Sequence, residues 1–192
     1  MSYSNLEDYS VEIVNDFTPS FIESVVALYQ PYSQQGKEKT ENYKPHMVRH
    51  MFSSGRFRLG FCYVKFKGNI VLTFGIDDFN GWAVVARYLR HTNNSKFVPF
   101  LFGVAIPHLQ KHFAKQIRGI CVTQNIDQRN IVSAILKRFE KTDQQNNIYS
   151  SAADQIRRVR QLPVNVIYRG TEQYAFYIPN ENDIPPFHLK QP

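Results

Sequence analysis

"WAVVARYLRHTNNSKFVPFLFGVAIPHLQKHFAKQIRGICVTQN", residues 82–125, decides how the chain is built. It opens with a strand-like apolar run and passes through a polar stretch at His91–Lys96. An apolar stripe of helix length follows, and a second strand-like run, "IRGICVTQN", closes it. A strand joined to the next strand by a helix predicts parallel neighbours, because the crossover returns the chain to the same end of the sheet. Pro107 lies inside the helical stripe and predicts a kink or break there. The polar stretch has two readings. Asn93 and Asn94 tolerate left-handed turn conformations, Ser95 suits a helix cap and Lys96 brings charge. An anion-binding turn and a merely polar, capped turn are both open.

Upstream, "VEIVNDF" reads as a short strand. "TPSFIESVVALYQP" reads as a helix capped by Thr18, with Pro19 in its first turn, Ile22, Val25, Val26 and Tyr29 on one face, and Pro31 as its stop. Pro45 opens a second helix through Met47, Val48, Met51 and Phe52, which Gly55 ends. "FRLGFCYVKF", "IVLTFGI" and "WAVVARYLR" form a three-strand meander, with Asn80-Gly81 as a hairpin signal. Downstream, "RNIVSAILKRFEK" is an amphipathic helix with Ile131, Ala134, Ile135 and Phe139 inward. "SSAADQIRRVRQ" is a basic helix, and "VNVIYRG" with "TEQYAFYI" a last hairpin. Residues 1–178 read as one domain, and 179–192 as a proline-containing tail. This mixed order argues for the α+β class, a central mixed sheet flanked by helices.

The 192 residues are 43% apolar, enough for a real core. No apolar run approaches the roughly 20 residues of a membrane span. No basic start followed by an apolar run marks a secretory signal, and a cytoplasmic protein is expected. Cys62 and Cys121 sit in apolar strand-like runs and read as buried thiols. The net charge of +7 attracts polyanions. The charges are dispersed, however, and the densest cluster, Arg157, Arg158 and Arg160, reads as a solvated helix face. The aromatics alternate within strands as core residues do, so nucleic acid is not the expected partner.

The element order from Val11 to Ile178 resembles the GNAT N-acetyltransferase superfamily. The resemblance implies a GNAT-like sheet with the basic helix as an addition before the last hairpin. It implies acetyl-CoA or another acyl-CoA as cosubstrate, and a small-molecule or peptide amine as acceptor. In the family a glycine-rich loop after the fourth strand holds the pyrophosphate through main-chain amides and a helix N-terminus. "NNSKFV" stands at that place, with Asn93 where the family has Arg or Gln, and Lys96 and Val98 where it has glycines. Further on, "NIVSAILK" places Asn130, Ser133 and Leu136 along a second family pattern, with Lys137 where the family's acidic Tyr stands. The cofactor-binding residues implied are Val85, Arg87, Leu89, Asn93, Asn94, Ser95, Lys96 and Asn130, with main-chain donors near Val85–Tyr88 polarising the acyl carbonyl. The alternative is a catalytically degenerate GNAT-fold binding protein.

No residue stands out as the general acid or base. Tyr168 and Tyr174 could replace the lost Tyr, though each also reads as a packed aromatic. Asp77 and Asp78 read as turn residues. Cys121 lacks an evident base and reads as a core thiol. His46 with His50 and His108 with His112 have metal-compatible spacing but no third ligand, and no metal is expected.

Overall fold

The computed structural model describes residues 5–33, 43–91, 98–125, 129–139, 147–161 and 165–180. Its elements in chain order are β1 (Tyr9–Val14), α1 (Pro19–Ser33), α2 (Pro45–Ser53), β2 (Gly60–Phe66), β3 (Asn69–Phe79), β4 (Trp82–Arg90), a π-helical segment (Pro99–Ala105) running into α3 (Ile106–His112), β5 (Gly119–Asn125), α4 (Arg129–Phe139), α5 (Ile148–Arg157), β6 (Arg160–Gln161), β7 (Val166–Tyr168) and β8 (Thr171–Pro179). They build an eight-stranded α+β sheet in the order β1-β2-β3-β4-β5-β8-β6, with β7 also paired to β8. All neighbours are antiparallel except β4 and β5, the parallel pair expected of the crossover. Among the described residues no helix is long and apolar enough to cross a membrane.

Two-residue turns set the hairpin registers. Lys67-Gly68, Asn80-Gly81 and Arg169-Gly170 all have positive φ at both positions, the type I′ geometry that matches strand twist. Alternation then sends side chains to two faces. On one face Val64, Phe74, Val85, Val122 and Phe176 pack beneath the π-helical segment, α3 and α5. On the other, Phe61, Tyr63 and Leu89 pack under α1 and α2, while Trp82, Val84, Cys121 and Tyr168 form a third cluster toward β8. Cys62 and Cys121 are free and buried, in clusters on opposite faces, and burial pushes both thiols well up.

The structure corrects the sequence reading in several places. α1 runs through Pro31 to Ser33: in the last turn the missing N–H removes a single bond, and the helix is already anchored by buried Val25 and Tyr29. Pro107 does mark a change, but as the junction between the π-helical segment and α3. It has no N–H to give the Gly103 carbonyl four residues back, and the Ser151 hydroxyl donates to that carbonyl at 2.7 Å. In α4, Ala134 is exposed, and Ile135 and Leu136 meet the core. The basic helix ends at Arg157, so Arg160 lies in strand β6; all three arginines of the cluster are exposed.

Candidate functional site

β4 and β5 pair only at Ala83–Ile120, Val84–Cys121 and Val85–Val122. Beyond Val85 they part: β5 stays with β8 as far as Asn125, and β4 stays with β3 as far as Arg90. The result is a V-shaped opening whose walls are strand edges. Along it the main chain of β4 has no strand partner on the β5 side among the described residues.

The β4 wall carries a bulge. Thr73 pairs with Leu89 and Gly75 with Ala86, so Arg87 and Tyr88 face the single residue Phe74. Arg87 sits at φ 55, a left-handed conformation few non-glycine residues adopt. The extra residue shifts the alternation: Trp82 and Val84 share the sheet face that Leu89 also takes, although their numbers differ in parity. The Arg87 side chain is exposed there, and desolvation of its stem, then the Arg56 guanidinium, hold its pKa below the usual arginine range.

Past the bulge lies a polar chain that no sequence motif announces. Tyr29 Oη and Thr73 Oγ1 are hydrogen-bonded at 2.8 Å, Thr73 Oγ1 lies 2.9 Å from His91 Nε2, and His91 Nδ1 lies 3.4 Å from Tyr32 Oη. Thr73 is fully buried. Burial lowers His91 to about 4, so the imidazole is neutral at physiological pH. Tyr43 packs edge-on against both Tyr29 and Tyr32. On the β5 wall, facing α3, the buried Tyr174 hydroxyl donates to Gln124 Oε1 at 2.8 Å.

Asp77 lies at the closed end of the V, in β3 rather than in a turn, and is 1% exposed. Its Oδ2 accepts from the Tyr168 hydroxyl at 2.6 Å and from Arg169 Nε and Nη2 at 2.9 and 2.5 Å. Asp77 thus ties the β7–β8 hairpin to β3. Asp78 keeps its turn role, accepting from the Gly81 amide at 3.0 Å. Tyr168 is held at this closed end, away from the opening.

Of the residues expected to hold the cofactor, Val85 is the last β4 position paired with β5, Arg87 sits on the bulge and Leu89 is buried beyond it. Asn93, Asn94, Ser95 and Lys96 lie outside the described residues. Asn130 is in the first turn of α4, and Lys137 is exposed near its end. The His108 and His112 rings stack 6.0 Å apart, and no metal-ligating cluster of three or more groups occurs among the described residues.

No protein-family model matches the sequence, and no similar sequence is found among curated proteins. Solved structures do match. An uncharacterized protein from Bacillus halodurans superposes with TM-score 0.54 at 8% identity, over 89% of this chain and 83% of its own. RimL, a ribosomal-protein α-N-acetyltransferase solved in complex with coenzyme A, gives 0.52 at 11%, over 92% and 96%. A ribosomal-protein-S5-alanine acetyltransferase from Vibrio fischeri gives 0.51 at 12%, over 96% and 100%. With the β4–β5 opening, the bulge and the helical crossover in place, these likenesses establish that the chain has the fold of the GNAT N-acetyltransferases.

Proposed function

We propose that the protein is an N-acyltransferase that takes an acetyl or other acyl group from a coenzyme A thioester and transfers it to an amine. The observation that carries this reading is the V between β4 and β5, entered over a bulged strand whose main chain beyond Val85 is free of a strand partner on that side. An extended ligand arm can dock on such an edge as an added strand does. The thioester would supply the acyl carbon. The main chain of Val85–Leu89 would hold it, Asn93–Lys96 would meet its phosphates, and Asn130 would stand at the start of the helix on the other side.

The chain's own groups divide between the two faces. On the α1–α2 face the neutral His91 imidazole, between Thr73 and Tyr32, is a poor proton store at pH 7 but can donate at one ring nitrogen and accept at the other. It orients hydroxyls and can pass a proton leaving the attacking amine. On the α3 face the Tyr174 hydroxyl donates to Gln124, two residues past the last β5 position paired with β4. A second reading, a binding protein without catalysis, is favoured by one observation: Lys137 is an exposed ammonium side chain where the fold's enzymes carry an acidic hydroxyl.

Thermal-shift titration with acetyl-CoA and coenzyme A tests the first reading. Saturable stabilisation is expected, worth about 2.7 kcal/mol at a hundred times Kd. No shift at millimolar ligand would defeat it. Binding without release of free coenzyme A in the presence of an amine panel would favour the second.

A further inference from the structure

A groove of about 500 Å3 runs between α1 and the edge of the sheet at β1. Its volume is that of a small-molecule cleft. The described residues that line it come from α1, β1, β2 and β3, and none of them from β4 or β5, so it is separate from the V.

Residue type leaves this groove open. On β1, Tyr9, Val11 and Ile13 pack toward the α3 side, and alternation gives the α1 side to Ser10, Glu12 and Val14. α1 is anchored further in, by buried Val25 and by Tyr29, which is bonded to Thr73 of β3. The flank of α1 that lines the groove carries Phe21, Ser24 and Leu28, one line along the helix. Ser24 is the small member of that line. Its hydroxyl donates to the Phe21 carbonyl at 2.6 Å, which satisfies it within the helix and leaves the space beside it clear. Tyr63, 8% exposed, forms the floor, with the Phe21 ring edge-on to it at 6.3 Å.

The remaining wall is charged. Lys65 Nζ donates to Glu12 Oε2, and the same ammonium stands 5.8 Å from the centre of the Tyr63 ring. The Glu12 side chain is 52% exposed and that of Lys65 29%, so the pair is held weakly and opens at little cost. Charge selects the ligand. A lone anion at Lys65 meets the Glu12 carboxylate beside it, and a lone cation at Glu12 meets the Lys65 ammonium. A ligand with both charges side by side exchanges one ion pair for two. In an α-amino acid the ammonium and the carboxylate hang from one carbon, within hydrogen-bond distance of each other, as Glu12 and Lys65 are. The side chain on that carbon is left for the apolar lining, where its burial is favourable.

We infer that this groove binds a free α-amino acid with a large apolar side chain, its ammonium on Glu12, its carboxylate on Lys65 and its side chain between Phe21 and Leu28. The inference does not rest on the acyl-transfer reading.

The test is calorimetric titration of the full chain, without acetyl-CoA, using L-phenylalanine and L-leucine. L-Alanine removes the large side chain, N-acetyl-L-phenylalanine the ammonium and L-phenylalaninamide the carboxylate. L-Phenylalanine or L-leucine should bind, and binding of only one of them supports the site and reads its shape. Alanine should bind at least about tenfold more weakly, and so should the acetylated and amide forms. Ser24→Leu fills the groove from an exposed helix position and should abolish binding with the midpoint of thermal unfolding unchanged. Glu12→Gln should weaken L-phenylalanine about tenfold and leave N-acetyl-L-phenylalanine unaffected; it decides the matter if Ser24→Leu does not fold. No binding of either probe at millimolar concentration, equal binding of alanine, or full binding by a folded Ser24→Leu overturns the site. Equal binding of the amide or of the acetylated form also overturns it, since a chain end of another protein would then fit as well as a free amino acid. If Ser24→Leu leaves binding intact and acetyl-CoA converts the amino acid to its N-acetyl form, the amine occupies the V: the inference falls and the acyl-transfer reading stands. Binding that Ser24→Leu abolishes, in a protein that does not respond to acetyl-CoA, upholds the groove and defeats acyl transfer.

Discussion

At the scale of single residues, a part-buried imidazole and a buried carboxylate carry most of the chemistry that can be measured. His91 has its pKa lowered by burial to about 4 from the ordinary 6.5. Between those values the unfolded chain binds a proton that the folded chain does not, so stability is full above pH 6.5 and falls as pH drops through 4. The loss is at most on the order of 3 kcal/mol. Chemical denaturation between pH 7.5 and 4 should show this fall, and His91→Gln, which keeps a hydrogen-bonding side chain beside Thr73, should flatten it. An unchanged slope in the variant would place the pH dependence elsewhere. Asp77 acts through its contacts: its Oδ2 accepts from Tyr168 and twice from Arg169. Asp77→Asn removes the charge at constant shape and should cost about 2–3 kcal/mol, moderated because the Arg169 side chain is 31% exposed and can turn to water. Loss of stability without loss of acetyl-CoA response would confirm that Asp77 is a tie of the β7–β8 hairpin and not a catalytic carboxylate.

Among the elements, α5 and the π-helical segment meet at close range. A Cβ on Gly103 would stand 2.2 Å from the Ile148 carbonyl oxygen, a backbone atom with little room to yield, and Ser151 bonds the Gly103 carbonyl beside it. Gly103→Ala should therefore destabilise by about 3 kcal/mol. Ser151→Ala should cost only about 1 kcal/mol, the worth of one hydrogen bond. Equal effects in urea denaturation would mean that the close approach is not what joins them. This junction also shows what the sequence could reveal. Pro107 announced a break, because a missing N–H is a local fact. That α5 would supply the hydroxyl was not visible, because Gly103 and Ser151 meet only in three dimensions. The strands other than β6, α2 and the parallel crossover were legible from alternation, from Asn80-Gly81 and from helix-length spacing. Pro31 misled, since a proline in a final turn costs little once Val25 and Tyr29 are buried. The site was legible only as a place. Val85, Arg87 and Leu89 follow from the position of β4, whereas the Tyr29–Thr73–His91–Tyr32 chain joins segments with no common motif, and the orientation of Arg87 depends on a bulge that the sequence does not mark.

For the whole molecule, the decisive feature is that one sheet is nearly two. β1–β4 and β5–β8 are each held by long antiparallel ladders, and they join through three residue pairs of a parallel contact. The helical layer over β2–β5 bridges the two halves: Phe102 stacks on Phe176 of β8 at 5.7 Å, and Tyr9 of β1 packs against Phe100 of the same π-helical segment at 5.9 Å. The halves therefore unfold together while the mouth of the V stays unsupported. Hydrogen exchange should report this directly, since an amide exchanges at a rate set by the opening free energy of its own hydrogen bond. In the free protein, amides of Val84, Val85, Cys121 and Val122 should be among the slowest, and β4 amides directed into the V between Ala86 and Leu89 much faster. A ligand wedged between the walls must touch both, so acetyl-CoA should slow exchange at Ala86–Leu89 and at Thr123–Asn125 together, with a smaller change at β1. Protection confined to one wall would mean that the ligand lies on a surface and not in the V. Protection of neither wall, in a sample where thermal shift shows binding, would move the coenzyme site out of the β4–β5 opening altogether.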